Sequence, residues 1–255
     1  MKRLVGILLL LGVALTQSGS VTQYHAVVAR KKASGTGLLT NLEAYYDFEE
    51  TTGNAADSSG NSRTLTEQGT VPSTTGKLGN AREYTGSTSN IFTSTDAAFS
   101  PGSSHWSVAL WLYADTLSQS SFPGIVGIRD SSNVEWFVLF APNFVDISAG
   151  ASSDGTAVTS VVTTGFSATT WTLIVATWDG TNINISKDGG AFVSAAFAGP
   201  VFSGTAQLEV GSRSDGSSAW DGRIDELAFW TDRALTIEDV GLIYNSGAGL
   251  SFSNW

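Results

Sequence analysis

The 255-residue chain has a net negative charge but few charged residues, and it is rich in residues that suit short strands and turns. All its acids follow residue 40, so residues 41–255 carry eight basic residues against 23 acidic ones, a net charge of −15 that argues against a nucleic acid or an anionic membrane as partner. The absence of cysteine excludes a disulfide framework, and a charged content of 14% together with 28 glycines favours an all-β domain over a helical bundle.

The first 20 residues have the order of a secretory signal. Lys2 and Arg3 precede an apolar run at 4–15, and a small polar stretch at 16–20 follows it. The apolar run is too short to span a bilayer, so we expect no transmembrane span and an extracellular or surface location. The alternative is an apolar N-terminal arm that packs on another surface.

Residues 21–40 are predicted to form a linker or N-terminal arm, and residues 41–255 a single domain of many short strands. Apolar and β-branched runs alternate in this domain with turn residues. The predicted strands cover residues 42–48, 81–84, 91–93, 106–113, 124–129, 135–140, 145–149, 158–163, 170–178, 182–187, 192–196, 207–210 and 222–230.

One helix is predicted, close to the C-terminus. Thr236 is a suitable N-cap, and Glu238 and Asp239 would lie in the first turn, where the helix dipole favours acidic side chains. The apolar residues around them have roughly helical spacing. We expect this helix to lie across an edge of the strand structure.

Five segments of the domain, in order, carry a resemblance to a known family. They are LEAYYDFEETTGNAADSSGN (42–61), GKLGNAREYTG (76–86), HWSVALWLYADTL (105–117), TTWTLIVATWDGTNINISKDGG (169–190) and LEVGSRSDGSSAWDGRIDELAFWTDRALTIEDV (208–240). The chain resembles a laminin G-like, concanavalin A-type jelly-roll domain over about residues 42–252. The resemblance implies an all-β fold: a two-sheet antiparallel jelly-roll sandwich with a short C-terminal helix.

Aromatic residues supply the first candidates for ligand binding. Residues 106–113 are apolar on both faces of a strand, so the strand is either covered twice or lines a groove. In jelly rolls one sheet is concave and its aromatic rings can stack on sugars. This makes Trp111, Tyr113, Trp136 and Trp178 candidates for a binding platform; the alternative is that they are ordinary core residues.

A loop near the C-terminal end supplies further candidates. Segment 212–220 contains Arg213, Asp215 and Trp220 and is predicted to lie at one rim of the sandwich. Because binding residues concentrate on loops held by a rigid scaffold, these three are predicted to contact a ligand.

The closing strand contains an acidic pair. If Leu227 and Phe229 face the core, the period of two along a strand places Asp225 on the same face and Glu226 on the other. An inward carboxylate needs a partner, because an unpaired buried charge is very costly.

One partner for the inward carboxylate would be a metal ion. The family resemblance implies a structural calcium near the meeting point of the first and last strands, and calcium takes six to eight oxygen ligands. The predicted calcium ligands are Asp225, Asp57, Glu49 and Asn61. In the alternative, Asp225 accepts backbone N–H bonds or pairs with Arg223 or Arg63, and Asp57 only caps the DSSGN turn.

Catalytic patterns are weak in this sequence. Adjacent residues on a strand face opposite ways, so Asp225 and Glu226 cannot form the carboxylate pair of a glycosidase, and no E-x-D-x-x-E or G-x-S-x-G pattern occurs. We therefore expect a non-catalytic secreted or surface module that binds a glycan or glycoprotein. The alternative is a structural or assembly subunit whose partners are neighbouring subunits, and a glycan-active enzyme is the least favoured interpretation.

Overall fold

The computed structural model describes residues 36–119, 122–130, 133–141, 145–213 and 218–255. The chain forms strands β1 (Leu42–Tyr46), β2 (Thr66–Gln68), β3 (Ser73–Thr75), β4 (Asn80–Thr85), β5 (Ile91–Ser94), β6 (Trp106–Ala114), β7 (Gly124–Arg129), β8 (Val134–Phe140), β9 (Ile147–Ser152), β10 (Val158–Thr163), β11 (Thr172–Trp178), β12 (Asn182–Lys187), β13 (Val193–Ala196), β14 (Leu208–Val210) and β15 (Asp221–Thr231), and helix α1 (Ile237–Tyr244). The predicted all-β sandwich with a short C-terminal helix is confirmed.

The strands form two antiparallel sheets. Sheet A has the order β13-β12-β11-β6-β15-β4-β3, and β1 also pairs with β15. Sheet B has the order β10-β9-β8-β7-β14-β5-β2. The first and last strands are therefore hydrogen-bonded neighbours, as the resemblance implied.

The main core fills the space between the two sheets. Alternate residues of β6, among them Trp106 and Val108, point into it. The ring of Trp136 lies 5.2 Å from those of Trp106 and Phe229, and its indole N–H donates to the carbonyl of Phe99. Large aromatic rings thus tie β6, β8 and β15 together across the sandwich.

A second apolar cluster covers the outer face of sheet A. It contains Trp111 and Trp230 from the sheet, residues of α1, and the C-terminal segment, where Trp255 stacks on Trp230 at 5.5 Å. The strand β6 is therefore covered on both faces, which explains why both of its alternating sets are apolar. Leu38 is also buried in this cluster, and its carbonyl accepts the indole N–H of Trp230.

The packed domain accordingly begins earlier than predicted. Residues 36–40 dock on the second cluster, so the predicted linker boundary at residue 40 is wrong for this stretch, because Leu38 fills a site between sheet and helix. The predicted signal at 1–20 and the remainder of the predicted linker at 21–35 lie outside the described residues.

Helix α1 begins as predicted. The hydroxyl of Thr236 accepts the N–H of Asp239, and the Asp239 carboxylate accepts the N–H of Thr236, which together form a capping box. The helix ends at Asn245 in the left-handed conformation. Among the described residues, no helix has the length and apolar character needed to cross a membrane.

Trp136 tests the packing between the sheets. Replacing Trp136 by Ala should lower the free energy of unfolding by about 3–5 kcal/mol, because it removes a large ring from a close-packed core and orphans the carbonyl of Phe99. Urea denaturation followed by fluorescence measures the change. Val193→Ala is the matched control at an exposed site, and a Trp136→Ala variant as stable as that control would contradict the assigned packing.

Candidate functional site

Asp225 lies at a β-bulge in β15, and the bulge determines the face of its side chain. Its partner on β6 is Trp111, which belongs to the outer cluster, and the register shifts immediately after this pair. Glu226 is the additional residue, with a φ of 53°. The prediction that Asp225 shares a face with Leu227 and Phe229 is therefore wrong, because the inserted residue breaks the period of two.

The carboxylate of Asp225 is fully buried and binds the turn that precedes β4. Its Oδ2 accepts the N–H groups of Lys77 at 2.7 Å and Leu78 at 3.0 Å, and its Oδ1 accepts that of Glu226 at 2.8 Å. A Cβ atom on Gly76 would lie 2.6 Å from Oδ2, so a glycine is needed for the turn to come this close. These contacts correspond to the alternative in which Asp225 accepts backbone N–H bonds.

Both acids of the bulge are shifted toward their protonated forms. Burial raises the pKa of Asp225 to about 7 despite its three N–H bonds, and the nearby Glu49 carboxylate contributes in the same direction. Burial raises the pKa of Glu226 to about 8. The Oε2 atom of Glu226 is buried without a hydrogen-bond partner among the described residues, so the ionised form of this side chain is poorly accommodated.

The other predicted metal ligands occupy two different places. Asp57 accepts the N–H of Tyr45 at 3.0 Å, and the side-chain amide of Asn61 donates to carbonyls of β1, so both fasten a loop to that strand. Glu49 instead accepts the N–H of Asn80 at the start of β4. Asp57 also accepts N–H groups within its own turn, as a capping residue does.

These residues do not fit a shared calcium site. Calcium needs several oxygen atoms directed at one point, whereas Asp57 and Asp225 direct theirs at backbone N–H groups. The described part of the chain contains no group of three or more His, Cys, Asp or Glu side chains arranged to hold a metal ion. Calcium binding itself is untested, and it stays a prediction that rests on the family resemblance alone.

Several predicted ligand-binding aromatics are interior residues. Trp220 and Trp136 are 0% exposed and Trp111 is 1% exposed, so none of them can stack on a ligand. Trp178 is buried as well, and Trp111 is covered by the ring of Tyr244 at 5.9 Å. The assignment of Trp220 to a rim is wrong, because its ring completes the main core.

Arg213 lies beside an open groove on the outer face of sheet B. The groove has a volume of about 260 Å³. Its lining comprises Phe122, Arg129, Phe137, Leu139, Ser148, Val158, Ser160 and Arg213. The predicted partner of Arg213 in this loop, Asp215, lies outside the described residues.

Beneath the groove lies the ring of Phe137, which is 5% exposed and has a glycine on each neighbouring strand. A Cβ atom on Gly150 would lie 2.5 Å from the ring of Phe137, and one on Gly127 would lie 2.7 Å from its Cα, so glycines on both neighbouring strands leave room for the ring. The guanidinium of Arg129 lies 4.7 Å above Phe137. Phe122 stands at the edge and is 40% exposed, which makes its ring available to a ligand.

Tyr113 is the one predicted platform aromatic that reaches the surface. It is half-buried on the outer face of sheet A, 5.5 Å from Trp171, and the guanidinium of Arg223 lies 4.7 Å over its ring. Sequence reasoning missed Trp171 and Arg223 in this role. The register of β11 with β6 reveals Trp171, because the pair Thr172 with Leu112 places the residue before β11 beside Tyr113.

A second cavity, of about 200 Å³, contains two carboxylates. Glu135 accepts from the hydroxyl of Ser100 and the N–H of Gly204, and burial raises its pKa. Asp96 accepts a guanidinium N–H of Arg63 at 2.7 Å. Both acids connect loops in this way, and the cavity lining includes no aromatic ring, so the groove on sheet B is the better candidate for a sugar.

Comparison with known families places the sequence in one of them. The Laminin_G_3 model, described as the concanavalin A-like lectin/glucanases superfamily, matches residues 85–241, which is more than half of the chain. No curated protein matches the chain significantly.

Comparison with solved structures shows the fold. The binding domain of Paraclostridial Mosquitocidal Protein 1 has a TM-score of 0.66 at 15% identity, covering 82% of this chain and 53% of that one. The binding domain of Botulinum neurotoxin DC in complex with rat synaptotagmin II has a TM-score of 0.66 at 12% identity, with coverages of 82% and 52%. The chain thus spans about half the length of these toxin domains.

A third structure matches over nearly its whole length. Domain 4 of AbnA, a GH43 extracellular arabinanase from Geobacillus stearothermophilus, in complex with arabinotriose, has a TM-score of 0.57 at 21% identity. The alignment covers 82% of this chain and 98% of that domain.

The buried acid of the bulge predicts a dependence of stability on pH. The pKa of glutamate in an unfolded chain is about 4.3, whereas that of Glu226 in the folded state is about 8. Between these two pH values the folded state holds a proton that the unfolded state has released. Glu226 therefore stabilises the fold at low pH, and this contribution is lost as pH rises from about 4 to about 8.

Glu226→Gln should consequently raise the urea midpoint at pH 9 and leave it nearly unchanged at pH 5. In the Glu226→Gln variant, any dependence of the urea midpoint on pH that persists below pH 7 belongs to Asp225, whose pKa is raised in the same sense. The control is Glu238→Gln at an exposed position. Parallel pH profiles for the wild type and Glu226→Gln would show that the Glu226 side chain is hydrated.

Removal of divalent cations tests the calcium prediction directly. Because backbone N–H groups occupy the oxygens of Asp57 and Asp225, we expect EGTA to leave the melting temperature of the full chain unchanged. Differential scanning calorimetry with EGTA and with added calcium measures this. A melting temperature that calcium restores after EGTA has lowered it would establish a bound cation.

Proposed function

Since this chain belongs to the Laminin_G_3 family of the concanavalin A-like lectin/glucanases superfamily, we propose that it is a non-catalytic secreted or surface module that binds a glycan or the glycan of a glycoprotein. The ligand would occupy the groove on the outer face of sheet B. The observation that carries the proposal is the lining of that groove, which combines the exposed ring of Phe122 with two arginines, one of them stacked on the buried ring of Phe137.

The chemistry of the groove suits a sugar ring. A pyranose or furanose has an apolar C–H face and a rim of hydroxyls, and the groove offers apolar surface at Phe122 and Val158 beside the polar groups of Ser160 and Arg213. Its volume of about 260 Å³ lies near the lower end for small-molecule sites. The groove would therefore hold a single sugar unit of a longer glycan.

The similar structures support a binding role. By their titles, domain 4 of AbnA was solved with arabinotriose, and binding domains of Botulinum neurotoxin DC were solved with SialylT and with rat synaptotagmin II. The ligands named are those of the solved proteins. By analogy of fold, they support a glycan or glycoprotein as the class of partner here.

Binding to a glycan array tests the proposal. Phe122→Ala and Arg213→Ala in the full chain should each weaken the strongest array signal by about tenfold, since each removes one side of the groove. Leu39→Ala, which truncates an exposed apolar residue outside the groove, should bind as the wild type does. Affinities for the best array hit are then measured by calorimetry.

Light scattering after size-exclusion chromatography distinguishes the alternative. A monomer that binds sugars through the groove fits a binding module. An oligomer that persists on dilution and binds nothing on the array would replace the proposal with the assembly role. Equal binding by Phe122→Ala and the wild type would move the site away from the groove.

A further inference from the structure

The outer face of sheet A carries a row of four half-buried side chains beside the second apolar cluster. The row consists of Trp171, Tyr113, Arg223 and Glu83, and we call it the sheet A strip. Arg223 is the cross-strand partner of both Tyr113 on β6 and Glu83 on β4, and Trp171, the residue before β11, lies against Tyr113. Because adjacent strands are about 4.8 Å apart, the four side chains extend over roughly 14 Å.

The guanidinium of Arg223 is held in place without being neutralised. It packs on the ring of Tyr113 at 4.7 Å, and its Nε is buried with no hydrogen-bond partner among the described residues. Glu83 lies directly across from it, yet the two side chains form no ion pair. In a domain where 23 acids face eight basic residues, an arginine oriented toward a ring instead of an adjacent carboxylate is an unused donor.

The residues around Arg223 argue against an anionic ligand. Asp221 lies two residues earlier on the same face of β15, and Asp115 follows Tyr113 by two residues, so both are near the strip. Burial and then the charge of Asp115 raise the pKa of Asp221, which shows that the carboxylates are close enough to repel one another. A ligand that carried its own negative charge would meet several carboxylates and the guanidinium of Arg223, while the ammonium of Lys77 lies over Trp111 and donates to the carbonyl of Gly247.

A neutral sugar fits every element of the strip. The C–H face of a sugar ring can stack on Trp171, its hydroxyls can donate to the carboxylate of Glu83, and its oxygens can accept from the planar N–H groups of Arg223. We propose that the sheet A strip is a second glycan-binding site, selective for a neutral oligosaccharide that lies across the strands. This inference rests on the proposed function but concerns a surface on the opposite sheet from the groove.

Calorimetry with neutral and acidic trisaccharides tests the strip. The full chain is titrated with arabinotriose, xylotriose, cellotriose and galactotriose, and with trigalacturonate as the acidic counterpart. We expect at least one neutral sugar to bind more tightly than trigalacturonate. Trp171→Ala should weaken that binding by about tenfold, and Arg223→Lys should also weaken it, because lysine keeps the charge and loses the planar set of donors.

Two control variants separate a binding effect from a structural one. Phe192→Ala truncates an aromatic residue that packs against the same cluster but lies outside the strip, so it should bind as the wild type does. Phe122→Ala removes the ring at the groove and should leave the binding assigned to the strip in place. Thermal melts of all variants confirm that each is folded at the temperature of the titration.

Each contrary result has a defined meaning. The proposal for the strip is overturned if Trp171→Ala and Arg223→Lys bind the neutral sugar as tightly as Phe192→Ala does. It is also overturned if trigalacturonate binds more tightly than every neutral sugar. If Phe122→Ala alone abolishes sugar binding, the proposed function stands and the strip is not a site. If the full chain binds none of these sugars and nothing on the array, both proposals fail.

Discussion

The structure depends on how β15 changes partners. On one side this strand pairs with β6 along most of its length, and on the other it pairs with β4 through residues 221–224 and then with β1 through residues 227–230. The two residues between these stretches, Asp225 and Glu226, form the bulge. A strand that passes from one neighbour to another leaves unpaired backbone groups at the junction, and these must find partners elsewhere. Carboxylates act as these partners: Asp225 accepts the N–H of Glu226 in the bulge and two N–H groups of the turn before β4, and Glu49 accepts the first N–H of β4 itself.

This arrangement explains why the sequence predicted the burial of Asp225 but not the face of the sheet to which its side chain points. The sequence predicts an inward Asp225 that needs partners from its spacing to Leu227 and Phe229, and in the structure its side chain is indeed buried, although on the other face. The prediction that the Asp225 side chain lies on the same face as Leu227 and Phe229 was wrong, because the period of two holds only for a strand without a bulge. Glu226 in the left-handed region has no marker in the sequence, since that conformation usually signals glycine or asparagine.

The short polar strands β2 and β3 escaped prediction for a related reason, because segments such as TEQ and STT have no alternating apolar face.

The aromatic residues show the same limit at the candidate sites. The two apolar faces of β6 predict that the strand is either covered twice or lines a groove, and they cannot tell where a cover ends. The C-terminal segment and α1 cover Trp111, whereas Tyr113, two residues further along the same face, emerges beside Trp171. In sheet B, Phe137 is buried on the outer face in a small cluster with Val134 and Leu139, and Gly150 on the neighbouring strand leaves space for its ring. Such sorting depends on tertiary packing, which residue type and spacing alone do not specify.

The groove and the sheet A strip lie on opposite faces of the sandwich, and this separation has a consequence for how the molecule would bind. Two packed sheets stand about 10 Å apart, and side chains extend beyond each, so a short oligosaccharide cannot reach both sites at once. Occupancy of one site then gives a short ligand no gain in effective concentration at the other. A long or branched glycan, or a dense layer of glycans, would differ, because different branches could engage the two faces and the module would act as a cross-link. Recognition and assembly are therefore compatible roles for a domain built this way, provided that the surface it meets presents many sugars.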